Sequence, residues 1–332
     1  MPLRLGLRTG RSLGAFLATT LVACALGVRA FAGDTARTVW TLPLSSNTRA
    51  LVISPHPDDA VLGAGGLIRR IVERHGSVEI VEMTSGDAFG RGVATFWPTV
   101  VPNPGVYRSY GALRERETVH AMRELGIGRS RIRLLGFPDD GLCQLAANGS
   151  ARTVFTSPYT GREGPPSTER MIPGTRYRAA DLEQELERIL LAFRPTVVVV
   201  PHPRDEHPDH CATHVLAHRA IDAIDRAVGG GLRRPQVLHY LIHYRVWPGD
   251  PWQELKLTPA ERDAKRRAIE AFRTQTAVMA DFMHDFDRPD EPFLIGEPQS
   301  DAPCWCRGEN ILRRGSPGGF ERGSPGSPGS SK

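Results

Sequence analysis

The chain has 332 residues, 40% hydrophobic and 24% charged. That is enough to bury one large core, and one domain of about 250 residues fits better than two. The formal charge of +5 sits at the ends: residues 1–32 carry Arg4, Arg8, Arg11 and Arg29 with no acid, and residues 307–332 carry five basic residues against Glu309 and Glu321. The near-neutral body between them gives no support for nucleic-acid binding, which needs a clustered basic face.

In chain order, the first segment reads as an export leader. Three arginines precede an apolar run from Leu13 to Val28, and Ala30-Phe31-Ala32 offers a small-x-small cleavage site. The run is short for a membrane span of about 20 residues. Leu21-Val22-Ala23-Cys24 is a second option, a lipobox that would lipidate Cys24, and an uncleaved anchor is a third. All three expect an extracytoplasmic body (periplasmic, secreted or membrane-anchored) that touches a membrane only through this segment. Beyond it lie Cys143, Cys211, Cys304 and Cys306, with no CxxC pair. A cysteine zinc site is therefore disfavoured, and in an oxidising compartment a disulfide of unspecified pairing is open.

From there the pattern alternates. Ala50 to Ile53 is an apolar run suited to a buried parallel strand, and Gly63 to Arg74 follows as a helix. Val78 to Thr84 predicts a second strand, Tyr110 to Leu125 a helix stopped by Gly126, and Arg131 to Leu135 a third strand. Leu182, Leu186, Ile189, Leu190 and Phe193 share one helical face, ended by Arg194-Pro195. Four valines, Val197 to Val200, have the composition of a strand covered on both sides. Cys211 to Ala227 predicts a helix and Val237 to Ile242 a strand, and Thr258-Pro259-Ala260-Glu261 is a capping box opening a helix to about Arg273. Strand–helix alternation of this kind argues for a three-layer α/β sandwich around a mostly parallel sheet, a single domain whose ligands bind beyond the carboxyl ends of the strands. Residues 142–178 are too long for an ordinary connection and read as a lip over a site. Residues 307–332 form a Gly/Ser/Pro-rich tail expected to be disordered.

Two clusters follow predicted strands directly: Pro55-His56-Pro57-Asp58-Asp59, and His202-Pro203-Arg204-Asp205-Glu206-His207-Pro208-Asp209-His210. A hydrolytic zinc takes three ligands from His, Asp and Glu and keeps a fourth position for water. His56 and Asp59 can point at one centre across a tight turn, and His210 can supply the third ligand. Deprotonating the water needs a carboxylate that is not a ligand, for which Asp58 is the candidate. A protonated His207 can serve the oxyanion or the leaving amine, with Asp209 holding its ring and raising its pKa. The bland alternative for Asp58 or Asp59 is a helix N-cap.

HPDD with Leu62-Gly63-Ala64-Gly65-Gly66, then HPDH after a hydrophobic strand, resembles the PIG-L/LmbE-like family of metal-dependent de-N-acetylases over about residues 46–300. Thr84-Ser85-Gly86-Asp87, Arg114-x-x-Glu117 and Leu135-Gly136-Phe137-Pro138-Asp139 support the likeness. The resemblance implies a Rossmann-like fold, a zinc (iron being an alternative in the cell) on His56, Asp59 and His210, and the roles just given for Asp58, His207 and Asp209. It places Arg114 and Asp139 against the sugar or its aglycone, with an ion pair or a cap as their alternative, and Asp87 as a third substrate-binding candidate. Two departures stand out: Ala60 where many relatives have Glu, and Asp205 where some have a tyrosine that assists the oxyanion. His202, His214 and His218 are additional histidines nearby; His214 falls four residues after His210, on the same helical face, and is ranked below it. The glycines at 63–66 are read as packing residues rather than a dinucleotide loop.

The expected activity is removal of an N-acetyl group from an N-acetylglucosamine-type sugar, glycolipid or glycoconjugate. The alternatives are a zinc amidase on another acylated metabolite and a non-catalytic carbohydrate-binding relative, which would have no need of Asp58.

Overall fold

The four valines occupy the middle of an eight-stranded sheet in the computed structural model, which describes residues 38–98, 101–148, 153–228, 233–243 and 251–298. In chain order the strands are β1 (Thr38–Val39), β2 (Arg49–Ser54), β3 (Ser77–Thr84), β4 (Ile132–Phe137), β5 (Val197–Pro201), β6 (Gln236–Tyr240), β7 (Trp252–Lys256) and β8 (Asp290–Ile295). Their order across the sheet is β1-β7-β8-β6-β5-β2-β3-β4. The run β4-β3-β2-β5-β6 is wholly parallel, and β8 is antiparallel to both β6 and β7. The expected mostly parallel α/β sheet is therefore the one observed. The leader, the tail, Cys24, Cys304 and Cys306 lie outside the described residues.

Side-chain alternation divides the sheet between two cores. Ala50 and Val52 of β2, with Val197 and Val199 of β5, face one cluster; Leu51 and Ile53, with Val198 and Val200, face the other. The first is covered by α1 (Asp59–Glu73), α3 (Pro104–Glu124), α7 (Pro259–Glu270) and α8 (Arg273–His284). The second is covered by α4 (Leu142–Asn148), α5 (Ala179–Phe193) and α6 (Pro208–Val228). A short helix, α2 (Gly90–Phe96), follows the loop after β3. Burial on both faces explains why β2 and β5 read as unbroken apolar runs.

Boundaries moved where capping chemistry decided them. The α3 helix starts at Pro104, because Asn103 accepts hydrogen bonds from the amides of Gly105 and Val106. The capping box at Thr258 and Glu261 is present as expected. The helix it opens ends at Glu270, and α8 begins separately at Arg273. Strands β7 and β8 were not expected. Pro292 hides β8 from a reading by propensity, yet it pairs only with Glu254 of β7, beyond the two-residue contact of β8 with β6.

The helix α1 breaks at Ala64, whose φ of −143° is non-helical. The break frees backbone groups that a buried ion pair then satisfies. Glu291 of β8 accepts from the amides of Gly66 and Leu67 at 2.7 and 2.8 Å, and Lys265 of α7 donates to Leu62 O at 2.8 Å and to Glu291 at 2.7 Å. A Cβ on Gly63 would lie 2.4 Å from the Tyr240 ring, and one on Gly66 2.4 Å from Leu257. The glycines thus serve close packing, as read from the sequence.

In sequence β2 is followed outward by β3 and β4, and the chain then returns to place β5 on the other side of β2. The pair β2–β5 is therefore the switch point of the sheet, where a crevice opens beyond the strand ends. The loops carrying HPDD and HPDH leave these two strands.

Candidate metal and catalytic site

The HPDD turn leaves β2 and enters α1 at once. Asp58 occupies the N-cap position but makes no side-chain cap, so capping does not account for it. Asp59 opens the helix, and its Oδ2 accepts from the His56 amide at 3.0 Å, which closes the turn. His210 comes from the first turn of α6, fully buried. The three proposed ligand atoms converge: His56 Nδ1 to Asp59 Oδ2 is 3.0 Å, His210 Nε2 to Asp59 Oδ2 is 3.1 Å, and His210 Nε2 to His56 Nδ1 is 3.3 Å. Tetrahedral bonds of about 2.0–2.1 Å place neighbouring ligand atoms roughly 3.3 Å apart, so these atoms fit one small cation.

Each imidazole has a carboxylate on its far nitrogen. His56 Nε2 lies 3.1 Å from Asp139 Oδ1, and His210 Nδ1 lies 3.2 Å from Asp205 Oδ2. Such partners orient a metal-binding histidine and raise its basicity. Burial alone would push both imidazole pKa values down. Asp139, with Asp209 and Asp59, instead raises that of His56 well above the ordinary value, and Asp205 and Asp59 raise that of His210 to about 9. Burial opposes ionisation of Asp59, but His210 and His56 outweigh it and lower its pKa. Asp58, Asp59, Asp139, Asp205 and Asp209 are all buried here, beside the guanidinium of Arg114 and the imidazoles of His56 and His210. A divalent cation would fit among these acids in place of the protons that His56 and His210 otherwise carry.

Asp58 stands outside the ligand set. Its Oδ1 accepts from Arg114 Nη2 at 2.9 Å, and burial raises its pKa, offset in part by that arginine. A carboxylate held so, next to a cation, suits proton transfer in both directions. Arg114 also donates to Gly86 O at 2.8 Å. Gly86 has a φ of +62°, and a Cβ there would run into the Arg114 guanidinium. The Thr84–Asp87 turn is thereby fitted to the arginine.

Several expectations change. Arg114 is buried and clasps Asp58, the ion pair given as its alternative, and so positions that carboxylate. Asp139 contacts His56, and its Oδ2 accepts from the Ala88 amide at 2.7 Å, so both its oxygens have partners within the fold. Asp209 does not hold the His207 ring. Its carboxylate accepts from the amides of Asp140 and Cys143 at 2.7 and 3.3 Å and lies 3.8 Å from His56, while its own amide donates to His207 Nδ1 at 3.2 Å. Asp140 has a φ of +57°, the turn that aims its amide at Asp209. Nor do its surroundings favour a charged His207. Burial, then His56, His210 and His243, hold its pKa well below the ordinary value, and the accepting Nδ1 leaves the proton on Nε2. Asp87 is buried behind the turn, its Oδ1 without a hydrogen-bond partner among the described residues, and burial with Asp139 nearby raises its pKa well above the ordinary value.

The sequence reading missed two members. Asp205 stands where an oxyanion-assisting tyrosine was considered; it instead joins His210 to His243, whose Nδ1 lies 2.6 Å from Asp205 Oδ1. His243 follows β6 and stacks on His207 with ring centroids 5.5 Å apart. Its position just past a third parallel strand was the available signal. The segment 153–178 is anchored to its surroundings: Tyr159 donates to Asp140 Oδ2 at 2.9 Å, Arg108 to Thr160 O at 2.6 Å, and Tyr177 to Gly136 O at 2.9 Å. Cys143 and Cys211 are each disulfide-bonded.

The family model described as PIG-L, GlcNAc-PI de-N-acetylase, matches residues 51–221. A 1D-myo-inositol 2-acetamido-2-deoxy-alpha-D-glucopyranoside deacetylase of Mycolicibacterium smegmatis is 30% identical over 54% of this chain and 56% of its own length. A Rhodococcus jostii deacetylase of the same name is 26% identical over 64% of this chain and 61% of its own. The chain thus spans under two thirds of these relatives. Among solved structures, the conserved protein TT1542 of Thermus thermophilus superposes with a TM-score of 0.50 at 25% identity, covering 76% of this chain and 96% of that one.

Proposed function

The chain belongs to the PIG-L family of de-N-acetylases, and from that premise we propose that it is a zinc-dependent hydrolase releasing acetate from an N-acetylglucosamine-type sugar, glycolipid or glycoconjugate. The observation that carries this reading is the convergence of His56 Nδ1, Asp59 Oδ2 and His210 Nε2 within 3.0–3.3 Å of one another, with Asp58 beside them and outside the set.

When bound, the cation lowers the pKa of a coordinated water and polarises the amide carbonyl. The chain's own residues do the rest. Asp58 takes the proton of the attacking water, and its raised pKa suits it to hand that proton on to the leaving amine nitrogen. Arg114 fixes the carboxylate through Oδ1 and leaves Oδ2 for the water. His207, neutral and protonated on Nε2, donates a hydrogen bond to the oxygen that gains charge as the amide carbon becomes tetrahedral. Asp139 and Asp205 keep the two ligand imidazoles aimed at the centre. The exposed Asp140, with Tyr159 against it, is a further group offered to sugar hydroxyls.

We place the body outside the cytoplasm. The basic-apolar leader supports this, and so does the oxidised state of Cys143 and Cys211. Envelope glycans, glycolipids or exogenous sugars are then the substrate classes within reach. The test is acetate release from a panel of N-acetylglucosamine conjugates before and after metal chelation. Release that chelation abolishes and zinc restores is expected; release indifferent to chelation overturns the proposal.

A further inference from the structure

Three more histidines gather one turn along α6 from the site just described, and no role in acetate release falls to them. His214 and His218 lie four residues apart on the helix, with ring centroids 4.2 Å apart. His239 reaches them from β6, its ring 5.1 Å from His214 and stacked at 5.6 Å on His218. One ring nitrogen from each of the three lies within 4.8 Å of the others. We propose that His214, His218 and His239 form a second metal site, for a first-row divalent transition metal, that ties α6 to β6.

The chemistry of the donors supports this. His218 Nε2 and His239 Nε2 face each other at 3.4 Å. Two such nitrogens need something shared between them, a single proton or a cation. His239 is fully buried, and Nδ1 of both His239 and His214 has no aligned hydrogen-bond partner among the described residues. Burial and the neighbouring imidazoles hold His214 and His239 in the neutral, lone-pair-bearing form. At a helix–sheet interface, where aliphatic side chains otherwise pack, three clustered neutral imidazoles, one of them fully buried, are a costly way to fill space.

The donor set selects the ion. Three neutral nitrogens suit zinc, copper, nickel or cobalt and give magnesium or calcium nothing hard to bind. Glu297 approaches Nδ1 of His218 at 3.9 Å, on the far side from the facing nitrogens, so it backs His218 and is not a ligand. That leaves a fourth position for water, and the partly exposed His218 side chain opens an entry path.

The experiment counts zinc equivalents in the full chain after equilibrium dialysis, with cobalt absorption as a second readout. Wild type is expected to hold one equivalent more than His218→Gln or His214→Gln, and both variants should release acetate as wild type does. His210→Ala should lose a different equivalent, and zinc should still raise its melting temperature, a rise that His210→Ala/His218→Gln lacks. Retention of the wild-type zinc content by both His218→Gln and His214→Gln, with their cobalt spectra unchanged, overturns the proposal. If His214→Gln fails to fold, the more exposed His218→Gln decides alone.

Discussion

The two histidine clusters share a helix but differ in what stands behind the rings. In the first, Asp139 and Asp205 back the ligand imidazoles, and a third carboxylate, Asp59, joins the set. In the second the rings face one another, with the exposed Glu297 at 3.9 Å from His218 and Asp222 farther along the helix. Carboxylates make the first cluster strongly cation-seeking and leave Asp58 poised for proton transfer, whereas the second offers lone pairs and no base. Identical side chains thus serve chemistry in one place and cohesion in the other, and the acids around them decide which.

The sharpest way to break this contrast is to remove the base. Asp58→Asn should lower the rate of acetate release by about 10²–10⁴-fold with the metal content of the first site unchanged, by single-turnover assay and metal analysis. A carboxylate far from either cluster should behave differently. Glu291→Gln leaves Lys265 buried without its counter-charge and should cost about 3–5 kcal/mol in urea unfolding, with the zinc affinity of the folded protein untouched. Removing the backing acids should bring the first cluster toward the second. Asp139→Asn and Asp205→Asn should each weaken zinc binding there by about 10–100-fold in chelator competition. Among the effects on rate the smallest falls on the second cluster, where His218→Gln should leave acetate release unchanged. A large loss of turnover in that variant would erase the division of labour.

Much of this was legible in the sequence because it follows from short-range rules. The apolar runs at 50–53 and 197–200 marked buried strands, which the fold sets side by side, and a histidine–aspartate cluster after each marked one sheet edge as the site. What escaped depended on contacts between segments distant in the chain. For Asp139 and Arg114 the sequence left sugar contact and ion pair both open, and only the fold sets one against His56 and the other against Asp58. Asp209 was misassigned because sequence proximity suggested a contact with His207, whereas α6 begins at Pro208 and turns the carboxylate toward Asp140 and Cys143. Asp205 was judged only by what it replaced, so its bond to His243 stayed hidden. The antiparallel β7 and β8 carry no unbroken apolar run, and the Lys265–Glu291 pair that joins β8 to α1 has no signature at all.

The proposed catalysis requires one cation held by His56, Asp59 and His210. Anomalous diffraction at the zinc edge, from crystals of the zinc-loaded protein, tests this most directly. The prediction is a peak about 2.0–2.2 Å from His56 Nδ1, Asp59 Oδ2 and His210 Nε2 together. A fully active protein with no anomalous peak among those three atoms would contradict it.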